Sequence, residues 1–490
     1  MTITLADYLL YCDEPMHFWA KCSGKKAVVI ADGMAEHRGD ADGEARELAK
    51  KYLQTIQKKQ YGHWNDLFNQ TIALKGCTAT IDGLFYDKAT DSYDAFFLYM
   101  GTDAANYKHQ VTFKKIVAEY RNTIRRCYVI HLNSAYRRDG KIEPEMLFRV
   151  TLADNYVSEL QSDAREAIAA AIAIEQGAQK WFDKLTNDEM LPCGKPSECM
   201  YPDVCHPYLD DHKNRNPSPA TIYDIPRIST QHRRELRAAG VIELSMLTDD
   251  EGLSEIQKRH IEVMRSRKPS IDLRAIAEFC GSVSYPLTFL DYEAVQFPVP
   301  LDGYQPYNSV PFQFSLHIID EAGKEPRHIE YLCTDKNDDA EDLIKALLNK
   351  IPDRGSILTW NSSYEKGVHK TLAGAFPRYA DALNALNNRV IDLAKCFSGL
   401  DYMHPAFKGK WSIKAVLPVI RGNDPYGKFK QAQHVSNGAE AVGAWWRIAG
   451  GKAGILQRGG IRNQLLAYCK QDTQSMVDIW LHLVNLVKQR

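Results

Sequence analysis

The chain predicts an α/β protein whose C-terminal half is organised on a mixed sheet, and three observations carry that expectation. From Tyr285, three strand-like runs follow in succession: YPLTFLDYEA, FQFSLHIID and RHIEYLC. A helical segment, AEDLIKALLNKI, then leads to a fourth strand, SILTW, and to another helix. Consecutive strands favour antiparallel neighbours and strands separated by helices favour parallel ones, so one sheet holding both is expected. Finally, the last 26 residues, LLAYCKQDTQSMVDIWLHLVNLVKQR, read as an amphipathic helix. Leu465, Cys469, Asp472, Met476, Ile479, Leu483 and Leu486 line one face of it, at spacings of three and four.

The N-terminal elements are justified in the same way. AREAIAAAIAIEQGAQKWFDKL (165–186) is Ala-rich and apolar at helical spacing, hence a helix. TATIDGLFY, YDAFFLYM and CYVIHL read as strands. After Cys205, the Asn, Pro and Ser of DDHKNRNPSPATIYDIP mark a linker, and residues 222–280 read as short helices with charged faces. Three regions are expected: 1–205, a linker and helical module over 206–280, and 281–490.

Composition narrows the function classes. The 490 residues are 44% hydrophobic and 25% charged, the balance of a folded globular chain rather than a disordered or fibrous one. Lys+Arg total 61 against 62 Asp+Glu, a formal net charge of −1, which excludes a globally basic nucleic-acid coat protein but not a local basic groove. No apolar stretch approaches the roughly 20 residues needed to span a bilayer. The first residues lack a signal-peptide pattern, so a cytoplasmic protein is expected. In such a chain the 11 cysteines suit free thiols or metal ligands better than disulfides.

The sharpest chemical signal is Asp291-Tyr292-Glu293. Side chains two apart on a strand point to one face, so both carboxylates can meet a single cation. Tyr468 and Asp472, four apart on the terminal helix, also share a face, and an aspartate on an apolar stripe is costly unless a cation or donors meet it. Between them, SILTW runs into Asn361-Ser362-Ser363-Tyr364-Glu365, placing a fourth carboxylate at a strand-to-helix junction. The plain reading of Glu365 is an exposed carboxylate favoured by the helix dipole.

A second constellation is LPCGKPSECMYPDVCHPY, where Cys193, Cys199 and Cys205 are evenly spaced in a loop that could wrap a metal. Cys12 is the best fourth ligand, with Cys22 and His206 behind it. Three unliganded core cysteines are the plain reading, and the other cysteines, including Cys77, Cys127 and Cys280, suit the core. Aromatic and basic residues interleave in QPYNSVPFQF and AFKGKWSIK, as where bases stack and phosphates pass. Asn361, Lys410, Trp411 and Lys414 are the candidate nucleic-acid contacts, with Lys408 beside them and solvated loop residues as the plain reading. The basic helices of 222–280 could likewise hold nucleic acid or serve as a connector.

The ordered set D-x-E, N-x-x-Y-E, Y-x-x-x-D resembles the DnaQ-like 3′–5′ exonucleases, the DEDD class with tyrosine in the third motif. That resemblance implies an RNase H-like sheet and two divalent ions, Mg²⁺ or Mn²⁺, about 4 Å apart on oxygen ligands. It implies that Asp291 bridges the ions, that Glu293 and Asp472 complete their ligands, and that Tyr468 orients the attacking water. Glu365 stands where the family usually has Asp, with Asp392 of VIDLAKCF as a substitute.

The cysteine pattern resembles the iron–sulfur RecB-like PD-(D/E)XK nucleases, in which a [4Fe–4S] cluster joins the two ends of the domain. The spacing differs from their usual C-x2-C-x5-C, and Zn²⁺ is the alternative. On that resemblance one strand should offer an acidic residue, which Asp82 fits, and the next E-x-K, where Phe97 and Tyr99 stand instead. The domain is therefore expected to be catalytically degenerate, and a turn residue before Gly83 is the plain reading of Asp82. Together the features resemble an uncharacterised bacterial family that fuses a RecB-like region to a DnaQ-like exonuclease domain, on stretches that include VIHLNSAYRRDG (129–140), YQPYNSVPFQFSLHI (304–318), WNSSYEKGV (360–368) and AYCKQDT (467–473).

The expected function is metal-dependent 3′–5′ exonuclease action, with DNA favoured over RNA. The alternative is a non-catalytic nucleic-acid-binding or scaffold subunit of a DNA-processing or defence complex. A protein partner such as a helicase or a defence-complex subunit goes with either, and no membrane partner is expected.

Overall fold

The computed structural model describes all residues except 1, 30, 62–66, 75, 183–192, 194–197, 209–213, 216–217, 249–251, 336–339, 431–434 and 490. The protein is mixed α/β, with two five-stranded mixed sheets and flanking helices. The N-terminal sheet runs β1 (Leu67–Leu74), β2 (Cys77–Asp87), β3 (Ser92–Leu98), β4 (Ile124–Leu132) and β5 (Phe148–Leu152) in sequence order. Only β3 and β4 are parallel, joined across the helix Lys108–Ala118, because a parallel pair needs a crossover. The expected Ala-rich helix spans Asp154–Phe182, with non-helical backbone at Gly177, and residues 183–186 of the expectation lie outside the described residues.

After a two-residue strand β6 (Ser270–Ile271), the second sheet contains β7 (Leu287–Val295), β8 (Val310–Ile319), β9 (Arg327–Leu332), β10 (Ile357–Thr359) and β11 (Val390–Asp392). Its spatial order is β11-β10-β7-β8-β9. The consecutive strands β7, β8 and β9 are antiparallel, whereas β10 and β11, reached across helices, are parallel to β7. This is the mixed sheet that the strand and helix order predicts. A short strand β12 (Tyr402–Met403) pairs with β6.

β8 is buried along its whole length, a strand covered on both faces in which Gln313, Ser315 and His317 alternate with apolar residues. One of its covers is the terminal helix, Ile455–Lys488, which begins ten residues before the expected 465. Leu465, Cys469, Met476, Ile479 and Leu483 are buried as the spacing requires, and Asp472 and Leu486 are half-buried. Polar bonds fix its position on the sheet: Gln313 Nε2 donates to the Leu465 carbonyl at 3.0 Å, and the Thr473 hydroxyl lies 2.7 Å from Ser315 Oγ and 2.8 Å from His317 Nδ1.

Between the sheets, the segment expected as a linker contributes to a small core of its own. Ile222, Ile225, Ile228, Leu244, Leu247, Leu253, Ile261 and Met264 are buried together, with the helices Thr230–Ala238 and Glu255–Ser266 around them. Residues 210–213 and 216–217 of that segment lie outside the described residues. Among the described residues no helix is long and apolar enough to cross a membrane.

Among the described residues the N-terminal and C-terminal halves meet at several places, two of which are the most extensive in polar and aromatic contacts. In one, Arg138 N donates to the Tyr304 carbonyl at 3.0 Å and Gly303 N to the Arg138 carbonyl at 2.9 Å, joining the loop of VIHLNSAYRRDG to that preceding YQPYNSVPFQF. In the other, the long helix Ala35–Gln60 lies against the helix Gly438–Ala449, where His37 stacks edge-on against Phe297 at 5.3 Å and Trp446 at 5.0 Å. The approach is so close that a Cβ on Gly443 would stand 2.0 Å from the Gly33 carbonyl oxygen. Gly443→Ala is therefore expected to lower unfolding stability by about 1–3 kcal/mol. Gly39→Ala, on the same long helix with nothing within 4 Å of its Cβ, should instead gain about 0.5–1 kcal/mol. Urea unfolding of the two variants beside the wild type measures both.

Candidate active site

Asp291 and Glu293 leave the same face of β7, paired with Ser315 and Gln313 of β8. Asp472 meets them from the terminal helix, so that one carboxylate oxygen of each of the three lies within 4.8 Å of the others. The structure brings together these three carboxylates that the sequence singles out, because a period of two on the strand and helical spacing on the terminal helix both project polar groups from otherwise apolar faces. Cys469, one turn before Asp472, packs its Sγ 3.5 Å from Asp291 Oδ2.

Concentrated negative charge in a desolvated place must be offset. Burial, and then the neighbouring Asp472, push the Asp291 carboxyl well above the usual carboxylate range. Burial and then Asp291 do the same to Glu293. Burial drives Asp472 up to about 6, against hydrogen bonds from Tyr426 and Tyr468 and the charge of Lys414. Protons therefore occupy this site readily unless a cation takes their place.

Lys414 is the ammonium that faces all three carboxylates. Its Nζ donates to the Tyr468 hydroxyl at 3.0 Å and to the Ser436 carbonyl at 2.7 Å, and it lies over the rings of Tyr468 and Tyr426. Tyr426, which the sequence reading passed over, donates its hydroxyl to Asp472 Oδ1. Only its aromatic character before a helix could have flagged it.

Glu365 lies in the first turn of the helix Ser362–Ala375, and it is not the exposed dipole partner that its position suggests. It is 1% exposed, and its Oε2 has no hydrogen-bond partner among the described residues. Burial, then the charge of Asp291, push its carboxyl up to about 9. Asp392 is engaged elsewhere: its Oδ1 accepts from the backbone N–H groups of Asn361 and Ala394, both at 3.0 Å. It shapes the turn after β10 and does not join the three-carboxylate group.

Of the candidate nucleic-acid contacts, Lys414 points into the carboxylate site rather than onto an outer groove. Asn361 is exposed at the head of the Glu365 helix with a left-handed backbone (φ 72°), and Lys410 is exposed. Trp411 is half-buried with the Arg227 guanidinium 5.1 Å from its ring centroid. Beside Glu293, a cavity of about 380 Å³ is walled by Gln296, Tyr307, Tyr364 and Val442, and by His37 and Arg38 of the N-terminal long helix. No sequence signal ties that helix to this site.

The second cluster unites His17, Cys193, Cys199 and Cys205, all buried, with ligand atoms within 4.8 Å of one another. A buried group of this composition could bind a metal such as zinc or an iron–sulfur cluster. The three cysteines are those that the spacing singles out, but the fourth member is His17, and Cys12 is exposed. The reason is local: Pro15 starts a new helix, Pro15–Cys22, after a break at Glu14, and His17 lies on the buried side of that second helix. Cys12 stays on the preceding helix, Leu5–Asp13, hydrogen-bonded to Tyr8.

Asp82 sits within β2 rather than in a turn, and it is 4% exposed. Its carboxylate is fully engaged: Arg46 Nη1 and Lys114 Nζ lie at 3.1 and 3.2 Å, and the backbone N–H of Leu98 donates at 3.1 Å. Phe97 and Tyr99 follow on β3 and beyond, and Lys114 lies over both rings.

Residues 288–412 match a protein family described as a domain of unknown function (DUF2779). That span begins inside β7, contains Asp291, Glu293 and Glu365, and ends before Tyr468 and Asp472. No curated protein and no solved structure matches the chain.

The raised carboxyl of Asp472 makes a signed prediction. Its value rises from 3.8 in the unfolded chain to about 6 in the fold, so the folded chain holds the proton more tightly. The stability contributed by this group is full below pH 3.8 and is lost as pH rises towards 6. In metal-free protein, Asp472→Asn should flatten that fall in denaturation measured from pH 4 to 7. Mg²⁺ or Mn²⁺ should raise the melting temperature of the wild type more at pH 8 than at pH 5, and an equal rise at both would contradict cation binding here.

Proposed function

We propose that the chain is a metal-dependent 3′–5′ exonuclease that hydrolyses phosphodiester bonds, with DNA its favoured substrate. The observation that carries this reading is the convergence of Asp291, Glu293 and Asp472 within 4.8 Å, on elements far apart in sequence. Glu365, buried beside Asp291 with an unpartnered oxygen, supplies a fourth carboxylate. The sheet order supports it too. Numbered along this sheet alone, the strands lie 5-4-1-2-3, with the first carrying the D-x-E pair at the centre, as an RNase H-like fold requires.

The donor set fits hard divalent ions: oxygen ligands only, crowded, and short of positive charge. Such ions, when bound, would lower the pKa of an attacking water and stabilise the charge developing on the leaving oxygen. The chain's own residues do the rest. Asp291, Glu293 and Asp472 would hold the cations, with Glu365 completing the set. The Tyr468 hydroxyl, fixed by Lys414 and bonded to Asp472, faces the site where water would be oriented. Hydrolysis adds the water's hydroxyl to phosphorus and breaks the P–O3′ bond, and the departing 3′ oxygen takes up a proton. The cavity behind Glu293, walled by Tyr364, Tyr307, His37 and Arg38, offers aromatic and basic groups to a terminal nucleotide.

In this reading the N-terminal half is an inactive RecB-like accessory. Asp82 already has its counter-charges in Arg46 and Lys114, which leaves no demand for a metal there. That observation also favours the second reading, a non-catalytic nucleic-acid-binding or scaffold subunit working with a helicase or a defence complex.

Digestion of 5′-labelled single-stranded DNA in Mg²⁺ or Mn²⁺ separates the two. Asp291→Ala and Asp472→Ala should each lose more than about a hundredfold in rate, and Tyr468→Phe about ten- to a hundredfold. Asp82→Asn should keep the rate while lowering stability by about 3–5 kcal/mol, since Lys114 would be left buried without its partner. If the wild type binds the oligonucleotide and shortens it with neither metal, the exonuclease reading fails and the binding subunit stands.

A further inference from the structure

The RecB-like resemblance implies a [4Fe–4S] cluster at the cysteine group, and the donors present do not fit one. In a cubane each protein ligand holds a different iron, with sulfides between the irons, so the four ligands stand apart around an eight-atom core. Here the three Sγ atoms and one imidazole nitrogen all lie within 4.8 Å of one another. A single tetrahedral ion with metal–sulfur bonds near 2.3 Å and metal–nitrogen bonds near 2.0 Å places its ligand atoms about 3.5–3.8 Å apart. Four donors this close surround a point rather than a cage.

The surroundings are those of thiolates held for a cation. All four residues are buried, His17 at 6% and Cys205 at 2% exposure, where thiolates without a cation would be costly. His17 Nε2 lies 3.2 Å from Cys199 Sγ, and the backbone N–H of Tyr201 donates to the same sulfur at 3.4 Å. On the other side, His206 Nε2 lies 3.2 Å from Cys193 Sγ, and its Nδ1 lies 3.1 Å from the Tyr208 hydroxyl. A thiolate only accepts, so an ionised Cys193 would take its hydrogen bond from His206 Nε2, with the Tyr208 hydroxyl beside the other ring nitrogen. This is the outer hydrogen bonding that orients a metal ligand and tunes its charge.

We infer that His17, Cys193, Cys199 and Cys205 hold one Zn²⁺ ion in a closed Cys₃His site, with His206 as a hydrogen-bond donor to the bound Cys193 thiolate. Three sulfurs and one imidazole gathered within 4.8 Å of one another suit zinc. Because the chain fills all four positions, none is open to water or substrate, and the role is structural. The ion fastens the helix Pro15–Cys22 to the segment 193–205, across 182 residues of sequence. The inference is independent of the exonuclease reading, since it concerns the other half of the chain and uses none of the carboxylates.

The test is metal and sulfide analysis of the full chain, expressed with both iron and zinc supplied and purified anaerobically. One zinc per chain and negligible iron are expected. Cys12→Ser should keep the zinc, His17→Ala should lose it, and His17→Cys should regain it by offering a fourth thiolate. The Cys12 and His17→Cys variants keep the test decisive even where His17→Ala fails to fold. Replacement of zinc by Co²⁺ should give the intense visible bands of a tetrahedral thiolate site, strengthened and shifted to longer wavelength in His17→Cys. Brown protein with about four irons and four sulfides per chain, or loss of metal in Cys12→Ser, would overturn the inference. So would metal-free protein in which mass spectrometry finds two of the three loop cysteines joined as a disulfide.

Discussion

Three carboxylates brought within 4.8 Å of each other, Glu293 buried and Asp291 and Asp472 half-buried, set the terms for everything around them. Their mutual repulsion grows as the local dielectric falls, and Lys414 brings only one positive charge against it. The chain holds the group together by rigid means. β7 lies at the centre of its sheet, and the terminal helix is locked on β8 by Gln313, Ser315 and His317. Stability lent by that packing is spent on an arrangement that repels itself, which is how a binding site for cations is kept ready.

Asp82 makes an instructive contrast in the same molecule. It is a buried carboxylate on an interior strand of its own sheet, and Arg46, Lys114 and the Leu98 amide satisfy it completely. The two carboxylate sites differ in charge balance more than in burial. One is closed electrostatically by the chain itself, and the other is left in deficit.

Much of this was legible in the sequence, and the limits have physical causes. Strand periodicity and helical spacing locate Asp291, Glu293, Tyr468 and Asp472, because each motif is local and its period fixes its direction. The three loop cysteines are legible for the same reason. His17 was not, because a ligand reaching the loop from 182 residues away leaves no local pattern, and the break at Glu14–Pro15 decides which of Cys12 and His17 faces inward. Glu365 was misjudged because a glutamate in a first helical turn is usually solvated, and only the docking of that helix against β7 buries it. The segment after Cys205 looked like a linker because its Asn and Pro dominate the composition, while the isoleucines that anchor it are few and scattered.

The seating of His37 against Phe297 and Trp446 bears on how this protein can be taken apart. A chain begun at residue 281 would keep the three-carboxylate site intact in sequence, yet it would uncover an aromatic face now covered by the long N-terminal helix, and it would remove the His37 and Arg38 wall of the adjoining cavity. Asp40, which receives the Trp446 indole N–H at 2.7 Å and also meets Lys452, would go with it. Such a fragment would be stickier than the parent and open on one side, so the ends of a sequence motif are poor guides to where this molecule can be cut.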